Sequence, residues 1–152
     1  MPDHSQFAIG FDERDRARLH ELWDGVIDGQ RWSEGDLTAA FEEAWGAWNG
    51  VGAVAFSGWT GAALAALEFA GVRGETVLCP SNTFMATPLA AMHCGADVRF
   101  VDCRRDDLCM SFEDFERKVA EHRPKAAILV HIGGHIAFDL SLIPISEPTR
   151  PY

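Results

Sequence analysis

After Gly52 the chain alternates short apolar runs with segments of helical length. The apolar runs, which predict strands, are Ala53–Phe56, Thr76–Leu78, Val98–Val101 and Ala126–Val130. The segments between them predict helices over Thr60–Ala70, Phe84–Cys94 and Ser111–Glu121. Such an alternation is typical of a mostly parallel sheet with helices packed on its faces. Residues 51–139 are therefore expected to form an α/β domain.

Two local patterns refine this expectation. The run Ala126–Val130 has no polar alternation, which predicts a strand covered on both faces. The last predicted helix begins with Ser111, and Asp114 follows three residues later, which resembles a capping box with Asp in place of Glu. We expect this pair to fix the start of that helix.

Residues 1–50 carry a different pattern, with apolar side chains every three or four residues. The first set is Leu19, Leu22, Trp23, Val26 and Ile27, and the second is Leu37, Phe41, Ala44, Trp45 and Trp48. This spacing predicts two helices, each with one buried apolar stripe. Gly29 is expected to end the first helix. Ser33 or Asp36 is the expected N-cap of the second, and Asn49-Gly50 its end.

Composition limits the possible partners and compartment. The 152 residues carry a formal net charge of -10, which argues against a nucleic-acid or anionic-membrane surface. The longest nearly uncharged apolar stretch, Ala62–Leu67, is far shorter than the ~20 residues of a membrane helix. The four cysteines have no zinc-like spacing, and no secretory signal opens the chain. A soluble cytoplasmic protein with reduced thiols and no metal site is expected.

Residues 140–152, LSLIPISEPTRPY, fit neither a helical nor a strand period. Through Arg150 the string resembles, at all but one position, the conceptual translation of a transposase adapter used in sequencing libraries. We expect this segment to be non-native and exclude it from fold reasoning. The alternative is a natural proline-rich tail.

The segment Ser57–Ala63 joins a predicted strand to a predicted helix. The first N–H groups of a helix lack intrahelical partners and favour an anion. Thr60 can add a hydroxyl donor, and Gly58 and Gly61 let a phosphate approach the backbone because they have no Cβ. The spacing is neither a Walker A motif nor G-x-G-x-x-G. The alternative is a tight turn in which Thr60 is an ordinary N-cap.

A second loop, Cys79–Phe84, follows the next predicted strand. Ligands gather at the carboxyl edge of parallel sheets, where this loop should lie. Phe84 could stack on a planar heterocycle, while Ser81, Asn82 and Thr83 offer hydrogen bonds. The alternative is that Phe84 is a core aromatic residue at the start of a helix. Farther along, His131 and His135 could carry protons, but a structural role is favoured for each.

Four blocks of sequence resemble one family. They are T-G-A-A-L-A-A-L from Thr60, P-S-N-T-F-M-A-T from Pro80, G-A-D-V-R-F-V-D from Gly95, and K-A-A-I-L-V-H-I-G-G-H from Lys125. With nearly unbroken spacing from about Trp45 to His135, they resemble the DegT/DnrJ/StrS sugar aminotransferases. Two departures are Trp59 in place of a small residue and Gly133 in place of the tyrosine of many members.

This resemblance implies part of the large domain of a fold-type-I enzyme that binds pyridoxal phosphate (PLP). It implies that Thr60 and Gly61 hold the cofactor phosphate and that Phe84 stacks on the pyridine ring. The implied reaction moves an amino group from a donor such as glutamate or glutamine to a keto group. The implied substrate is a nucleotide-linked sugar or related cyclic ketone. A homodimer is also implied, and the Trp-rich N-terminal helices would suit its contacts.

The family's Schiff-base lysine lies in a context that this sequence does not contain. Its only lysines are Lys118, on a polar helix face, and Lys125, in a turn before a strand. We therefore expect an N-terminal fragment that cannot transaminate and that binds phosphate or PLP weakly at best. Two alternatives stay open: a PLP-dependent sugar dehydratase of the same family, which has histidine at the lysine position, and a non-catalytic module that binds phosphate or PLP.

Overall fold

The computed structural model describes residues 10–33 and 35–137. The segment 140–152, predicted to be non-native, lies outside the described residues. The chain divides into two compact units at the Ala55–Phe56 bond. None of the described helices combines the length and the apolar character needed to cross a membrane.

The first unit contains two helices, α1 (Glu13–Gly29) and α2 (Asp36–Asn49). A capping box starts α1, because the Asp12 carboxylate accepts from the Asp15 N–H at 3.1 Å and the Asp15 carboxylate accepts from the Asp12 N–H at 2.9 Å. The N-cap of α2 is Gly35, without a side-chain hydrogen bond, so the prediction of Ser33 or Asp36 was wrong. Gly50 ends α2 as predicted, in the left-handed conformation at φ 71° that suits glycine.

The predicted stripes of α1 and α2 are present but are not buried. Among the described residues neither helix has a buried side chain. On α1 only Leu22 and Val26 are half-buried, and Trp23 is 58% exposed. The other large exposed stripe residues are Leu19, Ile27, Leu37, Phe41, Trp45 and Trp48. A stripe of this kind needs a second apolar surface to cover it, and two helices alone do not provide enough.

The second unit is an α/β fold. Its elements are α3 (Trp59–Ala70), β1 (Thr76–Pro80), α4 (Ala86–His93), β2 (Asp97–Val101), α5 (Phe112–His122), β3 (Ala126–Ala127) and a short 3-10 turn (Ile132–Gly134). The strands form a parallel sheet in the order β2-β1-β3, with Val77 opposite both Val98 and Ala126. The predicted α/β class with a parallel sheet is confirmed.

Two strand predictions need correction. Ala53–Phe56 forms no strand, and the Ala55 N–H instead donates to the Glu42 carboxylate at 2.7 Å. The run Ala126–Val130 forms only the two-residue β3 at one edge of the described sheet, with one further bond from the Ile128 N–H to the Leu78 carbonyl. Its residues alternate between half-buried and exposed rather than being covered on both faces. Ala126 and Ile128 pack against the core beneath α3 and α4, whereas the core on the other face includes no residue of this run, so only one of its faces is covered.

Helices cover both faces of the sheet because successive side chains of β1 point to opposite sides. Val77 and Cys79 pack with α3 and α4, in a core that includes Leu67, Val72, Ala90, Ala91 and Cys94. Leu78 faces the other way and packs with Val101 and Met110 beneath Phe112, Phe115 and Val119. The flanking helices thus follow from the alternation within one five-residue strand.

Candidate functional site

The first turn of α3 carries Thr60 and Gly61. Gly58 is the N-cap in extended conformation, and no side chain of the described residues caps this turn. Thr60 is therefore not the N-cap, and its exposed hydroxyl lies in the first turn itself. A Cβ added at Gly61 would come no closer than 3.6 Å to Phe56. The turn offers uncapped N–H groups, a hydroxyl and open space, which together suit an anion.

Connectivity places this turn toward the carboxyl edge of the sheet. The chain leaves the end of α3 and enters β1 after five residues, and the Gly74 N–H donates to the Gly95 carbonyl at 2.9 Å just before β2 begins. The end of α3 therefore lies at the amino edge of the sheet. Followed along the chain, α3 runs from the carboxyl edge of the sheet to its amino edge. Its first turn therefore points toward the carboxyl edge. Ligands of open α/β sheets bind at that edge.

Phe84 lies between β1 and α4, in the loop that leaves the carboxyl end of β1. Its side chain is 77% exposed, so it is not the core aromatic residue of the alternative interpretation. The residue is held by its backbone, since its carbonyl accepts from the Thr87 N–H at 3.0 Å. An exposed ring at this edge is free to stack on a planar group.

The polar residues before Phe84 bond to the protein itself. The Asn82 amide donates to the Leu108 carbonyl at 3.2 Å, and the Thr83 hydroxyl donates to the Thr87 hydroxyl at 2.8 Å. The Ser81 hydroxyl lies 3.3 Å from the Cys103 thiol. These groups therefore shape the loop, and their hydrogen bonding to a heterocycle stays a prediction.

Cys103 contacts the loop that leads to Phe84, and sequence reasoning did not single it out. It follows β2, is partly exposed, and its sulfur also accepts from the Asn82 N–H at 3.2 Å. All four cysteines are free thiols, and the other three are buried. Burial raises the pKa of the Cys79 thiol to about 11, so that thiol stays protonated. The available signal was a cysteine just past a strand end, which alone does not reveal its partner.

Asp114 connects the start of α5 to the end of β2. Its carboxylate accepts from the Asp102 N–H at 2.8 Å, from the Lys118 ammonium at 2.8 Å and from Arg117. Burial alone would raise the pKa of Asp114, but these bonds outweigh it and lower the pKa to about 2. Half of the predicted capping box is present, because the Ser111 hydroxyl accepts from the Asp114 N–H at 3.4 Å. The Asp114 side chain binds Asp102 instead of returning to Ser111.

Neither lysine is free at the carboxyl edge. Lys118 is mostly buried and donates to Asp114 and to the Phe100 carbonyl. Lys125 lies at the opposite, amino edge, where its backbone N–H donates to the Thr76 carbonyl at 2.8 Å. The amine of Lys118 is thus already hydrogen-bonded. Lys125 lies at the edge of the sheet opposite to the first turn of α3.

The remaining candidates have local structural contacts. His131 accepts from the Ala137 N–H at 3.0 Å through Nδ1, as expected of a structural histidine. Gly133 adopts φ 59°, a conformation that would strain a tyrosine at this position. Trp59 opens α3 and is 52% exposed. Within residues 10–33 and 35–137, no group of acidic, histidine and cysteine side chains could hold a metal ion.

Comparison with known proteins gives consistent matches. The profile of the DegT/DnrJ/EryC1/StrS aminotransferase family matches residues 13–145. A solved DegT DnrJ EryC1 StrS aminotransferase from Brucella abortus is 31% identical, with a TM-score of 0.71 over 78% of this chain and 34% of its own. A PLP-dependent aminotransferase from Bacillus cereus is 28% identical, with a TM-score of 0.60 over 72% and 31%.

More distant structures share the fold. A sugar aminotransferase from Micromonospora echinospora is 21% identical, with a TM-score of 0.68, and the match covers 90% of this chain and 36% of that one. The chain thus spans about a third of the length of the solved structures that it matches.

Proposed function

Because the chain belongs to the DegT/DnrJ/EryC1/StrS aminotransferase family, we propose that it forms the PLP-binding part of a sugar aminotransferase. The observation that carries this proposal is the pairing of two features toward one sheet edge. One is the uncapped first turn of α3 with Thr60 and Gly61, and the other is the exposed ring of Phe84. Together they offer an anion site for the phosphate of PLP and a stacking surface for its pyridine ring.

The residues fit the two ends of this cofactor. The N–H groups of the α3 turn and the Thr60 hydroxyl would bind the phosphate, and Gly61 leaves room for it to approach the backbone. Phe84 would lie against the ring and keep water from that face. When bound, PLP supplies an electron sink for amino transfer. The chain's contribution is to orient the cofactor and to shield it.

For the longer protein we propose amino transfer from an amino acid to the keto group of a sugar, in a homodimer. The family match supports the reaction class, and the sugar aminotransferase among the structural neighbours supports the substrate class. The exposed apolar side chains of α1 and α2 support association with a second surface.

We propose that the 152-residue chain alone does not transaminate. The family resemblance implies a lysine whose amine forms the Schiff base with PLP and moves the proton, so that amine must be free and within reach of the cofactor. Lys118 already donates to Asp114 and to the Phe100 carbonyl, and Lys125 lies just before β3 at the amino edge of the sheet. Borohydride reduction in the presence of PLP followed by peptide mapping checks this. Stoichiometric labelling of Lys118 or Lys125 that phosphate suppresses would contradict it.

A titration with PLP followed by absorbance tests the site itself. We expect saturable binding that inorganic phosphate competes away. Thr60→Val should weaken binding about tenfold because a hydrogen bond to a charged group is lost. Phe84→Leu should weaken it about threefold through lost stacking.

Matched substitutions elsewhere provide controls. Thr38→Val changes an exposed threonine in the first turn of α2, and Phe69→Leu changes a phenylalanine near the end of α3 that is 95% exposed. Both should leave the Kd for PLP within about twofold of wild type. The assignment fails if the site variants and their controls bind equally.

A further inference from the structure

We propose that Cys103 is a positioning residue for the cofactor site, whose thiol holds in place the loop that presents Phe84. The inference rests on the proposed function for its consequence, which is PLP affinity. The positioning itself is visible in the contacts of the ligand-free chain.

The thiol makes two contacts to this loop. Its sulfur accepts from the Asn82 N–H at 3.2 Å and lies 3.3 Å from the Ser81 hydroxyl. A third bond fixes the loop to β2, since the Ser81 N–H donates to the Val101 carbonyl at 2.8 Å. Phe84 follows Asn82 by two residues. The backbone that carries its ring is therefore tied to the residues just after β2.

Cys103 is itself held firmly. It forms an isolated antiparallel bridge with Met110, which is 3% exposed. Between them the chain turns through Leu108, whose φ of 60° is unusual for a residue with a Cβ. The Leu108 carbonyl accepts from the Asn82 side chain at 3.2 Å, so Asn82 binds this turn at two points. A strained turn persists where its surroundings fix it.

The chemistry of the thiol matters because the Asn82 N–H needs an acceptor. Valine is apolar, has one more γ atom than cysteine and accepts no hydrogen bond, whereas serine keeps an acceptor in a smaller side chain. We therefore expect the loop to loosen in Cys103→Val and to stay in place in Cys103→Ser. A role in packing alone would give the opposite order, because valine fills the space better than serine.

The experiment compares these two variants with wild type by two measurements. Amide hydrogen exchange of Asn82, followed by NMR without any ligand, should become about three- to tenfold faster in Cys103→Val and stay near wild type in Cys103→Ser. The Kd for PLP should rise about threefold or more in Cys103→Val only. Cys94→Val is the matched control, because this buried thiol contacts the Leu64 carbonyl and not the loop.

Each outcome decides the proposal. Equal exchange at Asn82 in wild type and Cys103→Val would overturn it, as would equal losses in the serine and valine variants. Faster exchange with unchanged PLP affinity would also overturn it, because the loop would then move without consequence for the site. If the wild-type chain binds no PLP, the proposed function fails. The comparison of hydrogen exchange at Asn82 then decides by itself whether Cys103 holds the loop.

Discussion

The two units of the chain use apolar side chains in opposite ways. In α1 and α2 the stripes are regular, yet no described side chain of either helix is buried. In the second unit β1 is only five residues long, and four of them are buried. Periodicity alone therefore does not make a core. A strand between two helical layers buries both of its faces, whereas a pair of helices leaves most of each surface in water.

The same contrast separates the candidate cofactor residues from the exposed apolar stripes. The candidate cofactor residues all lie in the second unit, next to elements with a core of their own. Helices α1 and α2 carry exposed tryptophans and no described candidate site residue. In our proposal the second unit therefore holds the cofactor site, and the first unit offers a surface for association.

The same substitution in both units gives the largest expected difference. Leu78→Ala removes a fully buried side chain and should lower the free energy of unfolding by about 2–5 kcal/mol. Leu19→Ala removes a side chain of α1 that is 45% exposed and should cost less than about 1 kcal/mol. Hydrogen exchange read by peptide mass spectrometry separates the two units during urea unfolding. Equal losses of unfolding free energy in the two variants would contradict this difference between the two units.

An intermediate effect is expected at Asp114, which is 11% exposed on its side chain. Asp114→Asn should destabilise the second unit by about 1–2 kcal/mol at neutral pH, because Arg117 and Lys118 then lose their negatively charged hydrogen-bond acceptor. The lowered folded pKa means that this contribution is present above about pH 4 and is lost as the pH falls through about 2. Urea midpoints measured from pH 7 to pH 2 should converge for wild type and variant. Glu113→Gln, on the same helix turn, is the control.

The smallest effect is expected at the capping box of α1. Hydrogen bonds from Arg14 hold the pKa of Asp12 below its usual value. The cap therefore stabilises the helix most when the pH is above the usual pKa of an aspartate, and this stabilisation is lost as the pH falls. Asp12→Ala should fray the first turn of α1, seen as faster amide exchange at Arg14 and Asp15, with the second unit unchanged. Asp24→Ala on the same helix is the control, and fraying in both variants would rule out the cap as the cause.

Much of the second unit could be predicted from sequence because its signals are local. Apolar runs identified β1 and β2, and the predicted helices matched α3 and α5 within one residue at each end and α4 within two. Thr60, Gly61 and Phe84 were singled out from their positions just before or within predicted helices and from the family resemblance, and their roles stay a prediction. The residues of a loop before a helix can be identified from the sequence alone.

The missed features depend on contacts between distant segments. Ala53–Phe56 has the composition of a strand, but its backbone bonds to the Glu42 side chain. The contact of Cys103 with Asn82 joins residues from two loops, which no periodicity reveals. The burial of the α1 and α2 stripes was overestimated for the same reason, since burial depends on what lies opposite.

The uncapped first turn of α3 has a practical consequence for handling the protein. An anion that binds only the folded chain stabilises it by mass action, in proportion to the logarithm of its concentration. Phosphate buffer should therefore raise the melting temperature of the second unit above that in an amine-sulfonate buffer of equal ionic strength. If phosphate binds this turn as we propose, it competes with PLP, so phosphate-free solutions are the appropriate reference state for the PLP titration.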